Sequence, residues 1–485
     1  MRLFLLMCVL SGIPLRAADW PQFRGINSSG MADAPAPVKF GPGKNELWHV
    51  PVLSGHSSPC VVGDRIFLTT FDSEKQQLAV LCVDRQTGST VWMQTVEAET
   101  IEKGHPSFNP ASSTVACDGE YVVAYFGSCG LLCFDMDGNK RWDVPMSVAE
   151  SYGGNAVSPI ITGDHVILYR GCYAEHFLLA VDRRTGEERW KVQQQEKFSS
   201  NVAATATPIV YENQVIVHGA RAVQSFDVKS GDVVWSVSCS TTGTSTPVIA
   251  GHEVIVGTWN QTGEPSLTPP LESWDDMVTA HDENANGTLE PKEFPRLFIF
   301  HRSEGTEAPQ NGWPLRFRMA DGDKDGHVDE TEWDKQRADN QERRKRYVPH
   351  GMLVIDLSSR GTLMESDLRR LAKEGIPEVP SPLVHQGAVY YVKNGGVLTC
   401  LDLQTGKRRS RLRTGGRGTH YASPLIAGDH LYSFAGNGHI AVVAISTGMK
   451  VVEKNRMDTG ISATPAIVDG VIYLRTHNTL WAFAE

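Results

Sequence analysis

Oxygen-bearing side chains recur at fixed spacing in two twelve-residue runs. The first places Asp282, Asn284, Asn286, Thr288, Glu290 and Glu293 at positions one, three, five, seven, nine and twelve. The second places Asp321, Asp323, Asp325, His327, Asp329 and Glu332 at the same positions. A hard divalent cation of calcium's size takes about six to eight oxygens, and this spacing supplies them. Side chains come from positions one, three and five, a main-chain carbonyl from seven (Thr288 or His327), a water contact at nine, and a bidentate carboxylate at twelve. Gly287 and Gly326 stand where the chain must turn sharply, and Leu289 and Val328 where paired loops join through a short strand.

This doubled pattern is that of a pair of EF-hands, and the spacing predicts the pair over residues 262–350. The loops begin 39 residues apart, which leaves room for an exiting and an entering helix. Leu271, Trp274, Met277 and Val278 form one apolar face before the first loop. Phe294, Leu297 and Phe298 follow it, and Phe317 and Trp333 flank the second. The second loop offers five carboxylates and the first three, and Pro295 intrudes early in the first exiting helix, so two calcium sites are expected with the second tighter. Without an ion the crowded carboxylates repel, which links binding to local folding and favours a structural staple over a sensor. Arg343, Arg344, Lys345 and Arg346 read as the solvated end of the last helix.

Composition shows where this acidity sits. The 485-residue chain has a net charge of -10, and residues 261–350 hold 19 acidic against 12 basic side chains, so most of the excess lies in one stretch. Such a balance lacks the basic face of a nucleic-acid binder. Arg2, the apolar run Leu3 to Ile13, and Leu15-Arg16-Ala17 read as an export signal over residues 1–17, too short to span a bilayer. No second run of that kind follows, so the mature chain is expected not to cross a membrane and to be periplasmic or extracellular. Eight cysteines remain without any CxxC pair, mostly inside strand-like apolar runs, where a thiol acts as a small buried hydrophobe.

The elements that must carry these loops come from a repeat. Ser/Thr-Pro, an apolar alternation, a two-residue turn and a second alternating strand recur with proline at 59, 159, 208, 247, 382, 424 and 465. Thr114 holds that place in the second copy, with its turn at Asp118-Gly119. Most copies continue with a strand ending in Asp, a Thr-Gly or Ser-Gly turn, and a strand bearing Trp. Val83-Asp84 to Thr87-Gly88 to Trp92 and Val181-Asp182 to Thr185-Gly186 to Trp190 show it fully. Each unit is four short antiparallel strands, the size of one propeller blade. Leu480 to Phe483 reads as a third strand lacking a fourth, and Asn45 to Val50 as a Trp-bearing strand lacking a hairpin, so pairing them would complete an eighth blade.

These residues resemble the PQQ-like propeller repeat, carried best by Ala180-Val181-Asp182 through Trp190. That repeat builds quinoprotein alcohol dehydrogenases and the propeller lipoprotein of the outer-membrane assembly machine. Trp20-Pro21-Gln22-Phe23-Arg24-Gly25 is similar to the leader before many exported propellers of this kind. The resemblance implies an all-β, eight-bladed propeller. Residues 18–44 precede it, 45–261 form blades one to the first part of five, 262–350 interrupt blade five, and 351–485 complete five to eight.

Quinoprotein dehydrogenases, as the resemblance implies, hold their quinone between a Trp and a vicinal disulfide, and no Cys-Cys pair exists here. Pyrroloquinoline quinone is therefore not expected. The expected function is an exported calcium-binding scaffold that binds a protein or glycan on a propeller face; the alternative is a quinone-dependent oxidoreductase acting on alcohols or sugars. The Trp residues read as apolar plugs between blades with a bonded indole N–H. Ser57-Ser58, Ala204-Thr205, Thr244-Ser245-Thr246 and Ala422-Ser423 enter innermost strands and read as packing round a narrow channel. His56, Asn109, Asn155, Asn201, Arg417, His420 and Tyr421 lie close enough to line a polar pocket. Ser366 to Lys373 predicts a short helix between blades.

Overall fold

A computed structural model describes residues 19–195, 205–239, 243–259, 268–301, 312–345, 350–446 and 448–485. The expected export segment 1–17, Asn201 and Arg346 lie outside the described residues. Alternating apolar residues between tight turns give eight antiparallel sheets arranged as a propeller. Blade one comprises Cys60–Val62, Arg65–Asp72, Gln77–Asp84 and Thr90–Val96 in that order from the axis outward. Blade eight joins the two ends of the chain. Ala466–Val468, Val471–Arg475 and Thr479–Phe483 receive Glu46–Pro51 as their fourth strand, with Trp48 opposite Ala482. No sheet is left incomplete at the seam, so the edge that an open ring would expose is removed.

The Ser/Thr-Pro element forms a belt round the axis. The main-chain N–H of Ser58 donates to Thr114 Oγ1 at 3.0 Å, that of Thr114 to Ser158 Oγ at 2.9 Å, and that of Ser158 to Thr207 Oγ1 at 3.3 Å. Thr207, Thr246, Ser381 and Ser423 continue it to Thr246, Ser381, Ser423 and Thr464 at 2.9–3.1 Å. Blades two to eight thus each satisfy a buried amide of the preceding blade, which a proline on the next residue leaves undisturbed. In blade two the belt residue is Thr114 and Val115 stands where other copies have proline. The expected register there was one residue off, and the first and second strands turn through Gly119 and Glu120.

The second element locks neighbouring blades from the outside. Asp182 Oδ1 accepts the N–H groups of Arg184 and Thr185 at 2.8 and 3.0 Å, folding the turn. Gly186 follows at φ +74°, and a Cβ there would lie 2.8 Å from the Trp142 ring of the preceding blade. Trp142 Nε1 in turn donates to Arg183 O at 2.8 Å. Trp48 against Gly88, Trp92 against Gly138 and Trp190 against Gly231 repeat the arrangement. Asp, Gly and Trp of the motif are therefore one joint between two blades. The expected reading of Trp as interblade plugs with a bonded indole holds for these four. It fails in part for Trp235 of the fourth blade, which is buried but whose indole N–H has no acceptor among the described residues.

Residues 366–373 do not form the expected helix. A single turn at Glu365–Asp367 precedes the strand Arg369–Ala372, the outermost of blade five. The open edge of Gly351–Asp356 supplies hydrogen bonds that local propensity cannot outweigh, and Arg369 fixes the strand through two 2.7 Å bonds to Glu253.

The segment before blade one closes one end of the ring. Trp20 pairs with Val61 in blade one, Pro21 O accepts from Cys117 in blade two, and Arg24 donates to Pro382 O of blade six at 2.7 Å. Met31–Ala32 adds a parallel strand to Leu425–Ala427 of blade seven. This segment lies on the side of the first hairpin turns, where Asp19 Oδ1 accepts from Gly63.

Two expectations follow. Gly186→Ala forces a side chain into left-handed backbone and into Trp142, and should lower stability by about 1–3 kcal/mol in denaturant unfolding; an unchanged midpoint contradicts the joint. His218, His350 and His420 are buried, and burial presses each imidazole down to about 4. Unfolded histidine titrates near pH 6.5, so between about pH 6.5 and 4 the unfolded chain takes up protons that the fold refuses. Stability should be complete above that window and fall through it, by an order of 1–3 kcal/mol per histidine. Calorimetry showing a constant melting temperature across it contradicts this.

Candidate metal loops and axial well

The chain leaves blade five at Thr258 and returns at Gly351, on the side of the ring opposite the leader, because each second strand runs away from the hairpin turn. Between them Trp274–His281 forms a helix whose Ser273 caps Asp276 N, as the apolar face predicted. Glu330–Lys345 forms the helix after the second loop. The segment between the loops differs from expectation. Leu297–His301 pairs with Gly312–Leu315 as a β-ribbon, and only one helical turn, Phe317–Ala320, enters the second loop. Pro295 has no N–H to bond the carbonyl of Pro291, so the turn that begins at Glu290 cannot continue, and the following Leu-Phe-Ile-Phe run favours strand.

The two loops meet as the sequence predicted at position eight. Leu289 N donates to Val328 O at 3.0 Å and Val328 N to Leu289 O at 2.9 Å, with both side chains fully buried. Met277, Leu315 and Trp333 pack around them, and Trp333 Nε1 donates to Glu272 O, so these segments have a core of their own. Thr288 Oγ1 and His327 Nδ1 lie 3.3 Å apart across the pair.

Each loop folds its last carboxylate back over its start. Glu332 accepts from the N–H groups of Gly322 at 2.7 Å, Asp323 at 3.2 Å and Asp329 at 3.2 Å. Glu293 accepts from Glu283 at 3.1 Å and Glu290 at 2.9 Å. Gly287 and Gly326 take φ of +81° and +92° at the bend. In the second loop, carboxylate oxygens of Asp321, Asp323 and Asp325 lie within 4.8 Å of one another, and buried Asp321 Oδ1 has no hydrogen-bond partner. The Asp329 carboxylate accepts from Glu332 N. In the first loop Asp282 instead accepts from Asn286 and Gly287, Asn286 Oδ1 from Thr288, and Glu290 Oε1 from the Asn284 and Asn286 amides. All twelve expected ligand positions thus sit in two matched loops. In the second, three carboxylates converge, while the first spends more of its oxygens on internal hydrogen bonds.

A second candidate lies on the axis. A cavity of about 270 Å³ runs through the belt, floored by Phe23 of the leader and opening between Tyr152, Trp259 and Tyr421. Its wall is hydroxylic: the belt residues are joined by Thr205, Thr244 and Ser462. His56 lines it, and burial beside Arg475 presses its imidazole down to about 4, so it is neutral at pH 7. Arg475 itself points away, into the carbonyls of Leu53 and Thr69 and the Ser57 hydroxyl. Glu378 is the charged lining residue among those described, and Asn394, whose Oδ1 holds His420 N at 2.7 Å, stands beside it.

Of the residues expected near a pocket, His56 and Tyr421 line the well and His420 lies buried behind it. Asn109 instead holds its own loop through Ser54 and Ala111. Asn155 bonds the buried Glu102, and Arg417 offers its carbonyl to Asn437. Burial pushes the Glu102 carboxyl up to about 8. The sequence reading missed Phe23 and Trp259. The first is three residues from a recognisable leader tryptophan, but nothing local says where the leader runs, and Trp259 follows a strand end without any motif.

A quinone bearing carboxylates would need cationic partners in this well, and the described lining residues include neither Lys nor Arg. Cys60, Cys117 and Cys239 are buried with thiols pushed above their ordinary values by burial, and no two cysteines are adjacent in the chain. The residues present do not fit pyrroloquinoline quinone.

Known proteins share this architecture. BamB from Moraxella catarrhalis matches at 12% identity and a TM-score of 0.52, over 90% of this chain and 98% of that one. A europium-containing methanol dehydrogenase matches at 10% identity and 0.56, over 96% and 98%. The quinohemoprotein alcohol dehydrogenase from Comamonas testosteroni matches at 12% and 0.54, over 97% and 81%. At such identities these likenesses establish the fold alone. No curated protein matches the chain. The family described as outer membrane protein assembly factor BamB matches residues 41–265 and 368–485, passing over both twelve-residue loops. On that match the chain belongs to the outer membrane protein assembly factor BamB family of PQQ-like propellers.

Proposed function

We propose that this chain is an exported, calcium-binding propeller scaffold, a non-catalytic platform whose face binds a protein or glycan. Calcium holds the pair of EF-hand loops over residues 262–350. The observation that carries the metal reading is the buried, unpartnered Asp321 Oδ1 beside Asp323 and Asp325, under a Glu332 carboxylate already folded over the loop. Export is supported by the Arg2 and Leu3 to Ile13 pattern and by a family described by outer-membrane assembly. That description also supports a protein partner. Among the described residues no helix is long and apolar enough to cross a membrane.

The ion's role is structural. Five carboxylates in one loop repel one another, and the ion replaces that repulsion with shared coordination. Because Leu289 and Val328 join the loops through main chain and core, ordering one loop orders the other. The quinone-dependent oxidoreductase reading draws support from the shared fold of the two alcohol dehydrogenases, and a hydroxylic well whose described lining has neither Lys nor Arg weighs against it.

Calcium titration by calorimetry should show two sites, the second loop tighter. Glu332→Gln should weaken the tighter site at least about tenfold, roughly 1.4 kcal/mol, and Glu293→Gln should leave it intact. The converse pattern contradicts the assignment. Chelation should open residues 262–350 to protease while the propeller stays resistant; equal resistance with and without calcium argues against a structural ion. Incubation with pyrroloquinoline quinone and calcium should give neither bound cofactor absorbance nor dye-linked alcohol oxidation, and either signal overturns the non-catalytic reading.

A further inference from the structure

We propose that the axial well binds the uncharged sugar unit at the end of a saccharide. The proposal rests on the platform reading above and names the chemistry that one part of that platform recognises.

Four observations converge on it. The belt hydroxyls use their oxygens to accept neighbouring amides, and none of Ser58, Thr114, Ser158, Thr207 or Ser381 has a bonded acceptor for its own hydrogen among the described residues. They therefore offer a ring of O–H donors with spare lone pairs to whatever enters. An aliphatic ligand would strip water from these groups and leave them unpaired, at a cost per group of about 1–3 kcal/mol. A polyhydroxylated ligand replaces each water contact with one of the same kind.

Charge narrows the class. The described wall holds neither Lys nor Arg, and His56 is neutral at pH 7, so an acid finds no counter-charge there. Aromatic groups then frame the mouth. Tyr152 is 38% exposed there, its ring 5.6 Å from that of His105, and Trp259 and Tyr421 complete the rim. Such faces pack against the C–H faces of a sugar ring as other apolar surfaces do. Finally the well is blind. Phe23 closes the end under the leader, and about 270 Å³ is near the lower bound for a small-molecule site, so a chain end enters and a chain interior does not.

The test uses the full chain with calcium present and three probes: cellobiose, maltose and cellobionate. Binding is read by calorimetry and by the fluorescence of the rim tryptophan. At least one neutral disaccharide should bind, and cellobionate should bind at least about tenfold more weakly than cellobiose. Tyr152→Ala and Tyr421→Ala should each weaken the neutral sugar by about tenfold or more without moving the melting temperature of the free protein. No neutral sugar bound at about 10 mM, an acid bound as tightly as the neutral probes, or unchanged affinity in both variants overturns the proposal. If the sugars fail while the calcium titration behaves as expected, the well is misassigned and the scaffold stands. Dye-linked oxidation of a bound sugar would instead confirm the well and overturn the non-catalytic platform.

Discussion

A ring of sheets is stable only if no sheet keeps an open flank, and here two devices meet that demand at two radii. Near the axis, the belt amides from Ser58 to Ser423 are each held by the hydroxyl of the next blade, the last by Thr464. Farther out, Trp48, Trp92, Trp142 and Trp190 each lie on the turn glycine of the next blade and donate to an adjacent carbonyl. Both devices are bonds between blades rather than within them. A blade alone would have buried amides without acceptors and apolar indoles without cover, which is why the first and last strands of the chain must find each other in blade eight.

The same constraint makes the candidate sites. Because the belt must be built of small hydroxylic residues, the axis is lined with O–H groups and not with methyl groups. Because the leader crosses the turn side, the axial space becomes a well with one mouth. Because second strands all end at that mouth, a long excursion between Thr258 and Gly351 emerges beside it without disturbing any ladder. The excursion carries its own core around Leu289, Val328 and Trp333, so its folding is tied to its loops and not to the ring.

Much of this was legible before any coordinates. Ser/Thr-Pro, Asp-x-x-Thr-Gly and Trp are local signals with fixed geometric roles, and the register they imply was right in seven blades. It slipped in blade two, where Val115 replaces proline and the usual landmark is missing. The last strand of blade five was read as a helix because Leu368 and Leu371 suit a helical face; only the neighbouring strand edge, far away in sequence, decides otherwise. The ribbon between the loops was misread for a related reason, since spacing gave the room but not the element. The pairing of the two loops was legible because the bend at Gly287 and Gly326 and the bridge between Leu289 and Val328 are set by position in the loop. The well was not, as its floor and rim come from Phe23, Tyr152, Trp259 and Tyr421, four points that only the closed ring brings together.

The account turns on the ring closing as one cooperative body through its two ends. Native-state hydrogen exchange across a denaturant series measures this most directly, by comparing Glu46–Pro51 and Thr479–Phe483 with Arg65–Asp72 of blade one. Closure predicts that buried amides of all three strands exchange only through the same global opening, with one free energy and one denaturant slope. A seam that opens first, with a lower free energy and a smaller slope at Glu46–Pro51 and Thr479–Phe483, would contradict it.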